Sequence, residues 1–414
     1  MNNPKEKRGL SRRTFLRAFG LLSGAAVAPL GLGNVSSASA MNALGLGKTR
    51  GVLKVGLIVK RGSWTTDSML SGIGLYMQEI GNQCGGRQVQ LIVEDMGGTG
   101  SLLRQTKKLV EQDNVDVVIA HANTRAAASV YEYVAERSVV FVEMNAGEAM
   151  PSNLASPKTY FRSTLNLWQA NAALGGWAAN VLGKRAAIQT SFSNSGFDFH
   201  SAFEAGFVQG GGEIVSRVVT GAPTSNDHPM SVLSDVNRLN PSVVFASYSD
   251  QAAIAYQHAF QSSGITAPLL GTDFALGLNG AKGGADDVTH ASSWSPKLSN
   301  AENQAFTASY RSYAGKEADA YAVLGYDTAR FVLGAADRSG RLGSLAQAML
   351  DTTFNGPRGV CTCDKASRTL SSPLYLCSPD TEVVSLDPAL GEAAYASLDP
   401  NDLRGGWLNA YLAA

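Results

Sequence analysis

Short apolar segments of strand length alternate with segments of helical periodicity, and this alternation limits the fold more than any other feature of the chain. In the first half, the predicted strands are Val52–Val59, Val89–Val93, Val115–Ala120 and Val139–Val142. The segments with apolar residues at helical spacing are Met69–Ile80, Ser101–Glu111 and Thr124–Glu136. Strands that are joined through helices run parallel, so the pattern predicts a parallel sheet with helices on both faces.

The same alternation starts again after Phe161. The predicted strands of this half are Ala186–Thr190, Ile214–Val219, Ser242–Ala246 and Leu269–Leu270. The predicted helices are Phe199–Gln209, Met230–Leu239 and Gln251–Ser262. We therefore expect two doubly wound α/β sheets, each with a crevice at the carboxyl ends of its strands. If the two crevices face one another, a small ligand can be enclosed between them.

Length and charge exclude several classes of protein. The 414 residues are enough for two or three domains of about 150 residues each. Hydrophobic residues make up 44% and charged residues 16%, which excludes disorder over most of the length. The 34 basic and 34 acidic residues cancel, so no net positive charge attracts nucleic acid or an anionic membrane surface. No apolar run of about 18 residues follows residue 40, which excludes a polytopic membrane protein.

The N-terminus is typical of an export signal. Arg12 and Arg13 stand before the weakly apolar stretch Ala18–Leu32, and the small-x-small sequence Ala38–Ala40 follows. This arrangement resembles a bacterial twin-arginine signal with Arg17 in place of the usual lysine. It predicts export by the twin-arginine translocase, cleavage after Ala40 and a periplasmic protein. A single membrane anchor is the alternative, but the apolar run is short and interrupted, and it has no lipobox cysteine.

Three of the four cysteines lie close together near the C-terminal end. In an oxidising compartment, Cys361 or Cys363 is expected to form a structural disulfide with Cys377 across a hairpin, while Cys84 stands alone. Closing a loop of about 15 residues stabilises a fold by roughly 3 kcal/mol. A metal site is the alternative, but Cys-x-Cys without a nearby histidine is a poor zinc pattern.

Motifs for catalysis are absent from the sequence. Gly45–Thr49 ends like a phosphate loop, but the first glycine of that motif would fall at Asn42 and no strand precedes it. Ser191–Gly196 forms no G-x-S-x-G elbow, and Gly97–Gly100 lacks the dinucleotide spacing. The five histidines never pair at metal-ligand spacing. We therefore expect no catalytic residue, metal or cofactor, and no enzyme activity.

Several short segments resemble one family in their order along some 300 residues. They are Lys54–Leu57, Leu70–Ile73, Cys84–Arg87, Val93–Asp95, Tyr160–Arg162, Ala267–Gly271, Ala320–Asp327 and the turn Phe354–Gly359. Taken together, they are similar to the type I periplasmic solute-binding proteins, specifically the branched-chain amino-acid (leucine/isoleucine/valine) binding group of ABC importers.

The resemblance implies two lobes that are joined by a three-strand hinge. On that pattern, lobe 1 comprises residues 52–162 and 295–356, lobe 2 comprises 163–294 and 357–386, and 387–414 is a C-terminal extension. The hinges fall near Phe161-Arg162, Ser293-Trp294 and Gly356-Pro357. Both lobes close over the ligand, and the ABC permease recognises the closed form of a monomer.

The resemblance also implies ligand contacts in the first lobe. Asn123 and Thr124 match a loop where relatives hold a ligand carboxylate with a Ser or Thr hydroxyl and backbone N–H groups. A helix N-terminus attracts an anion, which agrees with that role. The alternative is that Thr124 only caps its helix. Asn145, Ala146 and Gly147 match a position with adjacent Ala and Thr in relatives, so Gly147 lacks the hydroxyl.

In the second lobe, Asp273 falls where relatives place the carboxylate that pairs with the ligand ammonium; a surface turn is the alternative. Ser195 and Phe197 lie where relatives often carry Tyr-Gly-x-Gly. Tyr248 and, from the first lobe, Trp64 are candidate aromatic walls, and either is equally compatible with core packing. The polar loop around Trp64 favours the cleft. The missing tyrosine and hydroxyl leave an amide, a polar amino acid or an aromatic acid open as the ligand.

The leading hypothesis is a periplasmic solute-binding component of an ABC importer. It binds an amino acid or related small solute by hinge closure, which requires tighter binding to the closed form than to the open one. A ligand sensor of the same fold that is not coupled to import is the alternative. An enzyme exported through the twin-arginine route is disfavoured because no metal or nucleotide motif is present.

Overall fold

The computed structural model describes residues 51–96, 102–147, 157–191, 199–220, 228–248, 250–272, 288–339, 345–378 and 383–387. The signal segment with Arg12, Arg13 and Ala40, and nearly all of the C-terminal extension, lie outside these ranges. No helix within them is both long and apolar enough to cross a bilayer.

The first sheet has nine strands in the order β12-β13-β14-β6-β5-β4-β1-β3-β2. Its strands are β1 Val52–Val59, β2 Gln83–Cys84, β3 Arg87–Asp95, β4 Val117–His121, β5 Val140–Asn145, β6 Tyr160–Thr164, β12 Thr353–Gly356, β13 Gly359–Cys363 and β14 Thr369–Ser371. The run from β3 to β14 is parallel, and β2, β12 and β13 are antiparallel to their neighbours. The helices that follow these strands are α1 Trp64–Glu79, α2 Leu102–Glu111, α3 Thr124–Ala128 and α4 Tyr131–Arg137.

The second sheet has seven strands in the order β16-β15-β11-β10-β9-β7-β8. Its strands are β7 Arg185–Ser191, β8 Glu213–Thr220, β9 Val243–Ser247, β10 Leu269–Thr272, β11 Thr289–Ser292, β15 Leu374–Cys377 and β16 Val384–Leu386. The associated helices are α5 Leu167–Val181, α6 Phe199–Gln209, α7 His228–Leu239 and α8 Asp250–Ser262. The remaining helices are α9 Ala301–Ala314, α10 Ala320–Ser339 and α11 Leu345–Leu350.

Both sheets confirm the predicted doubly wound α/β architecture. Leaving aside the short antiparallel β2, the first five strands of each half follow the spatial order 2-1-3-4-5, which is β3-β1-β4-β5-β6 in one sheet and β8-β7-β9-β10-β11 in the other. Successive residues of a strand pack on opposite faces: Val117 and Ile119 belong to one core cluster, and Val118 and Ala120 to another. Burial of both faces explains why the strands are almost continuously apolar.

Within the described ranges, the chain passes between the sheets three times. The first two crossings follow Thr164 and Ser292, within a few residues of the expected hinges. The third lies between Ser371 and Leu374, not at Gly356-Pro357 as expected from sequence. The reason is that β12 and β13 pair as an antiparallel hairpin, which keeps the chain in the first sheet until β14 has paired with β6.

In each half, one pair of helices packs backbone against backbone. An added Cβ on Gly325 of α10 would lie 2.2 Å from the carbonyl oxygen of Met69 on α1. In the other half, a Cβ on Gly206 of α6 would lie 1.8 Å from the carbonyl oxygen of Ala172 on α5. Both helix pairs therefore depend on residues without a side chain at the point of contact.

The disulfide expected near the C-terminal end is not formed in the structure. Cys84, Cys361, Cys363 and Cys377 are all buried, and none of them takes part in a disulfide. Cys361 and Cys363 lie on β13 of the first sheet, whereas Cys377 lies on β15 opposite His290 of the second sheet. The expected hairpin between the cysteines does not exist, because β13 and β15 belong to different sheets.

Candidate functional site

The carboxyl ends of the parallel strands bring together most of the described residues that were predicted to bind ligand. Doubly wound sheets bind their ligands at this edge. Seven of the ten predicted residues, or at least their backbone, lie in the described ranges, and Ser195, Phe197 and Asp273 lie outside them. The following contacts concern the seven that can be placed.

Three rings form an aromatic cluster at the edge of the first sheet. Trp64 begins α1 after strand β1, and its ring centroid lies 5.5 Å from that of Tyr321, with the planes at 88°. His121 ends β4, and its ring centroid lies 6.2 Å from that of Tyr321. Trp64 is 39% exposed although it is large and apolar, whereas Tyr321 is buried. We call Trp64, His121 and Tyr321 the first-lobe aromatic cluster.

His121 contributes a neutral ring to this cluster. Burial lowers the pKa of His121 to about 4, because the imidazolium form loses its hydration. At neutral pH the ring therefore offers one donor and one acceptor. The described residues contain no group of three side chains that could hold a metal ion.

Tyr321 and His121 were not among the predicted site residues. Tyr321 lies in the segment Ala320–Asp327, already noted for its resemblance to the family, which was the available signal. The sequence analysis considered His121 only as a metal ligand, since no local spacing shows that α10 reaches the end of β4.

Asn123 caps helix α3, a role that the sequence analysis considered for Thr124. Its Oδ1 accepts a hydrogen bond from the backbone N–H of Ala126 at 2.8 Å, and Thr124 is the first helical residue. An Asn in this position satisfies a donor that would otherwise lack a partner inside the helix. The contact of Asn123 and Thr124 with a ligand stays a prediction.

The segment Asn145–Gly147 is hydrogen-bonded to the first crossing between the sheets. The carbonyl oxygens of Ala146 and Gly147 accept from the backbone N–H groups of Leu167 and Trp168, each at 3.1 Å. The Asn145 side chain accepts from the N–H of Gly147 at 2.8 Å. These carbonyl groups join the end of β5 to the start of α5, so they already have partners without a ligand.

Gly147 has a steric reason to lack the hydroxyl that relatives carry there. Its φ is +102°, and an added Cβ would lie 2.8 Å from the backbone nitrogen of Leu167. Any side chain at this position would therefore strain the backbone and push against the first crossing.

A buried ion pair between Arg162 and Glu143 contacts the Asn145 side chain. Arg162 Nε donates to Glu143 Oε2 at 3.2 Å, and Tyr160 Oη donates to the same oxygen at 2.5 Å. The second oxygen, Oε1, accepts from Asn145 Nδ2. Both charged side chains are essentially inaccessible to solvent. Glu143 therefore holds the Asn145 side chain in place at this edge of the sheet, and sequence reasoning missed that role.

Tyr248 lies in the core of the second half. It is 6% exposed and stacks on Tyr256 of α8, with ring centroids 4.5 Å apart and planes at 17°. Its hydroxyl accepts from Thr220 Oγ1 at 3.3 Å. Burial raises the pKa of Tyr248 to about 12. The structure thus favours core packing over the cleft wall that was considered for this residue.

Comparison with known proteins gives consistent matches over most of the chain. Residues 52–381 match the family described as periplasmic binding protein. The Leu/Ile/Val-binding protein homolog 6 of Brucella suis biovar 1 (strain 1330) is 24% identical over 326 residues, which cover 74% of this chain and 81% of that protein.

Solved structures of solute-binding proteins share the fold. One from an ABC transporter of R. palustris, in complex with benzoate, is 25% identical with a TM-score of 0.69; the match covers 84% of this chain and all of that one. The branched-chain amino acid transporter substrate binding protein LivJ of Streptococcus pneumoniae, in complex with isoleucine, is 18% identical with a TM-score of 0.66, over 81% of this chain and 99% of that one.

Proposed function

The chain belongs to the periplasmic binding protein family, and on that premise we propose that it is the solute-binding component of an ABC importer. It captures a small solute with a carboxylate group between its two lobes and delivers it to an ABC permease of the inner membrane. No bond is made or broken in this process. The observation that carries the proposal is the first-lobe aromatic cluster at the carboxyl edge of a doubly wound sheet.

Each member of the cluster has a property that suits a ligand contact. Trp64 keeps more than a third of its surface exposed at an edge where most large apolar residues are buried. The Trp64 ring offers apolar area to the body of a solute, and the buried Tyr321 ring packs against it and holds it in place. The neutral His121 ring offers a hydrogen bond without adding a charge.

The carboxylate of the solute is proposed to bind at the start of α3, with Asn123 and Thr124, near Asn145 and Ala146. For an amino acid, Asp273 would pair with the ammonium group, and Ser195 and Phe197 would cover the solute from the second lobe. These contacts follow the family pattern.

An aromatic acid is the second candidate solute. A benzoate-bound solute-binding protein resembles this chain over 84% of its length, and the first-lobe aromatic cluster suits a planar ring. An amino acid has an ammonium group and an aromatic acid has none, so only the amino acid would need the Asp273 carboxylate.

Export by the twin-arginine route, cleavage after Ala40 and a periplasmic location complete the proposal, with a monomer as the working form. A sensor of the same fold would have the same site but no permease. A permease and an ATPase encoded beside this gene would separate the importer from the sensor.

A thermal-shift screen of residues 41–414 tests the proposed binding with isoleucine, glutamine, benzoate and 4-hydroxybenzoate as probes. A ligand at 100 times its dissociation constant stabilises the folded form by about 2.7 kcal/mol. Titration calorimetry of the best probe then compares Trp64→Ala with Trp177→Ala, a partly buried tryptophan of α5 that serves as the matched control. Only Trp64→Ala should weaken binding, by roughly tenfold or more.

Asp273→Ala identifies the solute class. It should weaken the binding of an amino acid at least tenfold, because an ion pair of this kind costs about 2–5 kcal/mol to break from one side. It should leave the affinity for an aromatic acid unchanged. No shift with any amino acid or aromatic acid, or equal affinities for the two tryptophan variants, would refute the proposed site.

A further inference from the structure

The turn between β12 and β13 lies where the three crossings between the sheets come together. We call Gly356–Gly359 the hinge turn. On one side, the carbonyl oxygen of Pro357 accepts from Asn300 Nδ2 at 3.3 Å, beyond the second crossing. On the other side, a Cβ on Gly359 would lie 3.2 Å from Pro373 Cγ, within the third crossing. The turn is therefore packed between chain segments that lead from one sheet to the other.

Arg358, inside this turn, bonds to the first two crossings through its side chain and to β15, just beyond the third, through its backbone. Its Nη1 donates to the carbonyl oxygen of Thr164 at 2.7 Å, where the first crossing begins. The same nitrogen lies 3.5 Å from Ser293 Oγ in the second crossing. Its own carbonyl oxygen accepts from Tyr375 Oη at 2.9 Å, just beyond the third crossing. The bonded residues are far apart in sequence, so only the fold brings them to one residue.

The guanidinium is fixed by a carboxylate of the first lobe. Arg358 Nε donates to Asp327 Oδ2 of α10 at 2.7 Å, and both side chains are 0% exposed. The ion pair therefore holds Arg358 on the first-lobe side while Nη1 reaches the first two crossings. The arrangement anchors the hinge to α10, the helix that also carries Tyr321 near its start.

Stability alone is a weak reason for this ion pair. Within the described part of the chain, Asp327 Oδ1 and Arg358 Nη2 are buried without a hydrogen-bond partner. A buried ion pair with unpaired atoms costs desolvation, and apolar replacements of similar volume are often neutral or stabilising. The contacts with the crossings supply a different reason to keep the arginine.

We propose that Arg358 is the positioning residue of the hinge: it couples the three crossings so that they bend together and the lobes move along one closing path. It sets solute affinity without touching the solute, because it keeps the open form in orientations from which closure succeeds. This inference rests on the proposed function, since closure matters for affinity only if a solute binds between the lobes.

Two variants separate the hinge role from a structural one. Arg358→Met removes the donors and leaves Asp327 as an unpaired buried charge, which should destabilise the fold. The paired variant Asp327→Leu with Arg358→Met removes both charges and should recover the thermal midpoint of the wild type. Both variants lack the side-chain bonds to Thr164 and Ser293. The paired variant should therefore recover the stability of the wild type but not the coupling between the crossings. Arg358→Lys keeps the positive charge but loses the planar set of N–H donors. Its stability should be intermediate between those of Arg358→Met and the wild type.

Spin labels at Gln112→Cys in the first lobe and Gln261→Cys in the second report the interlobe distance without any solute. Both positions are exposed, and burial raises the pKa of Cys84, Cys361 and Cys363, which keeps these thiols unreactive. The distance distribution of the ligand-free protein should be narrow in the wild type and broad in the paired variant. The dissociation constant of the probe found by the screen should rise about fivefold or more, because it scales inversely with the competent fraction.

A paired variant with the stability, distance distribution and affinity of the wild type would overturn the inference. The distance measurement needs no solute, so it tests Arg358 even if no probe binds. Failure of every probe to shift the wild-type distances would count against the proposed function, whereas an unchanged distribution in the paired variant counts against the hinge role.

Discussion

Helix α10 allows one substitution, glycine to alanine, to be tested at two positions with opposite expected effects. An added Cβ at Gly325 would lie 2.2 Å from the carbonyl oxygen of Met69 on α1, and at Gly334 the nearest atom, Arg338 Nη1, would be 3.6 Å away. Real Cβ atoms essentially never approach a neighbour within 3.0 Å, whereas 3.6 Å is ordinary contact. Alanine therefore fits at 334 and must push α1 and α10 apart at 325.

The magnitudes follow from these distances. In a helix interior, alanine is favoured over glycine by about 1 kcal/mol, so Gly334→Ala should raise the free energy of unfolding by up to about that amount. At Gly325 the helices must separate by at least 0.8 Å, the difference between 2.2 and 3.0 Å. Overpacking a tight interior costs about 1–3 kcal/mol, and backbone on both sides leaves no side chain to yield. We expect Gly325→Ala to lower the stability by about 2 kcal/mol net of the helix gain.

Urea unfolding at pH 7, followed by far-UV circular dichroism, measures both variants against the wild type. Gly334→Ala is the control for every effect of alanine that does not depend on the helix contact. Separation of the helices should also weaken solute binding, since α1 begins with Trp64 and α10 carries Tyr321, whose rings lie 5.5 Å apart. A Gly325→Ala protein as stable as Gly334→Ala would refute the close contact on which this reasoning depends.

Three further predictions concern single residues. Burial lowers the pKa of His200 to about 4 from 6.5, so its neutral form adds stability that is complete above pH 6.5 and is lost as the pH falls toward 4. The loss should reach roughly 2–3 kcal/mol by pH 4.5 in urea unfolding, and His200→Gln should remove that part of the pH dependence. Asn123→Ala should lower the thermal midpoint, because a lost helix cap costs about 1 kcal/mol; Asn123→Asp should retain the cap, and equal midpoints for the two variants would count against it. Gly147→Ala should cost about 1–3 kcal/mol for the backbone strain and raise the susceptibility to protease near the first crossing, and a midpoint equal to that of the wild type would contradict the reported φ.

Local spacing was sufficient to predict the repeating part of the fold. The strand Val115–Ala120 was expected and Val117–His121 is found; the helix Met230–Leu239 was expected and His228–Leu239 is found. A strand or an amphipathic helix can be recognised from neighbouring residues alone, because its periodicity follows from the geometry of a single segment. Since both halves carry the same alternation, the two doubly wound sheets were also predictable.

The candidate site was predictable only in part. Trp64 and Tyr248 both follow a strand, and the polar loop around Trp64 favoured the cleft, whereas nothing in the neighbours of Tyr248 indicated that a helix would cover it. Their different fates depend on which helix covers them: α8 brings Tyr256 onto Tyr248, whereas Trp64 keeps an open face beside Tyr321. A residue's exposure is a property of the whole packing arrangement, so no short segment records it.

The alternation of apolar strands and amphipathic helices was enough to specify the class of fold, because each segment forms its hydrogen bonds or its apolar stripe locally. The sequence was not enough to specify the position of the third crossing. Thr353–Gly356 could be recognised as part of a hairpin only from its pairing with Gly359–Cys363 in a sheet. The same holds for Arg358, whose partners Asp327 and Thr164 are 31 and 194 residues away along the chain. Contacts at such separations arise from the packing of complete lobes, and only the tertiary structure brings them together beside the crossings between the sheets.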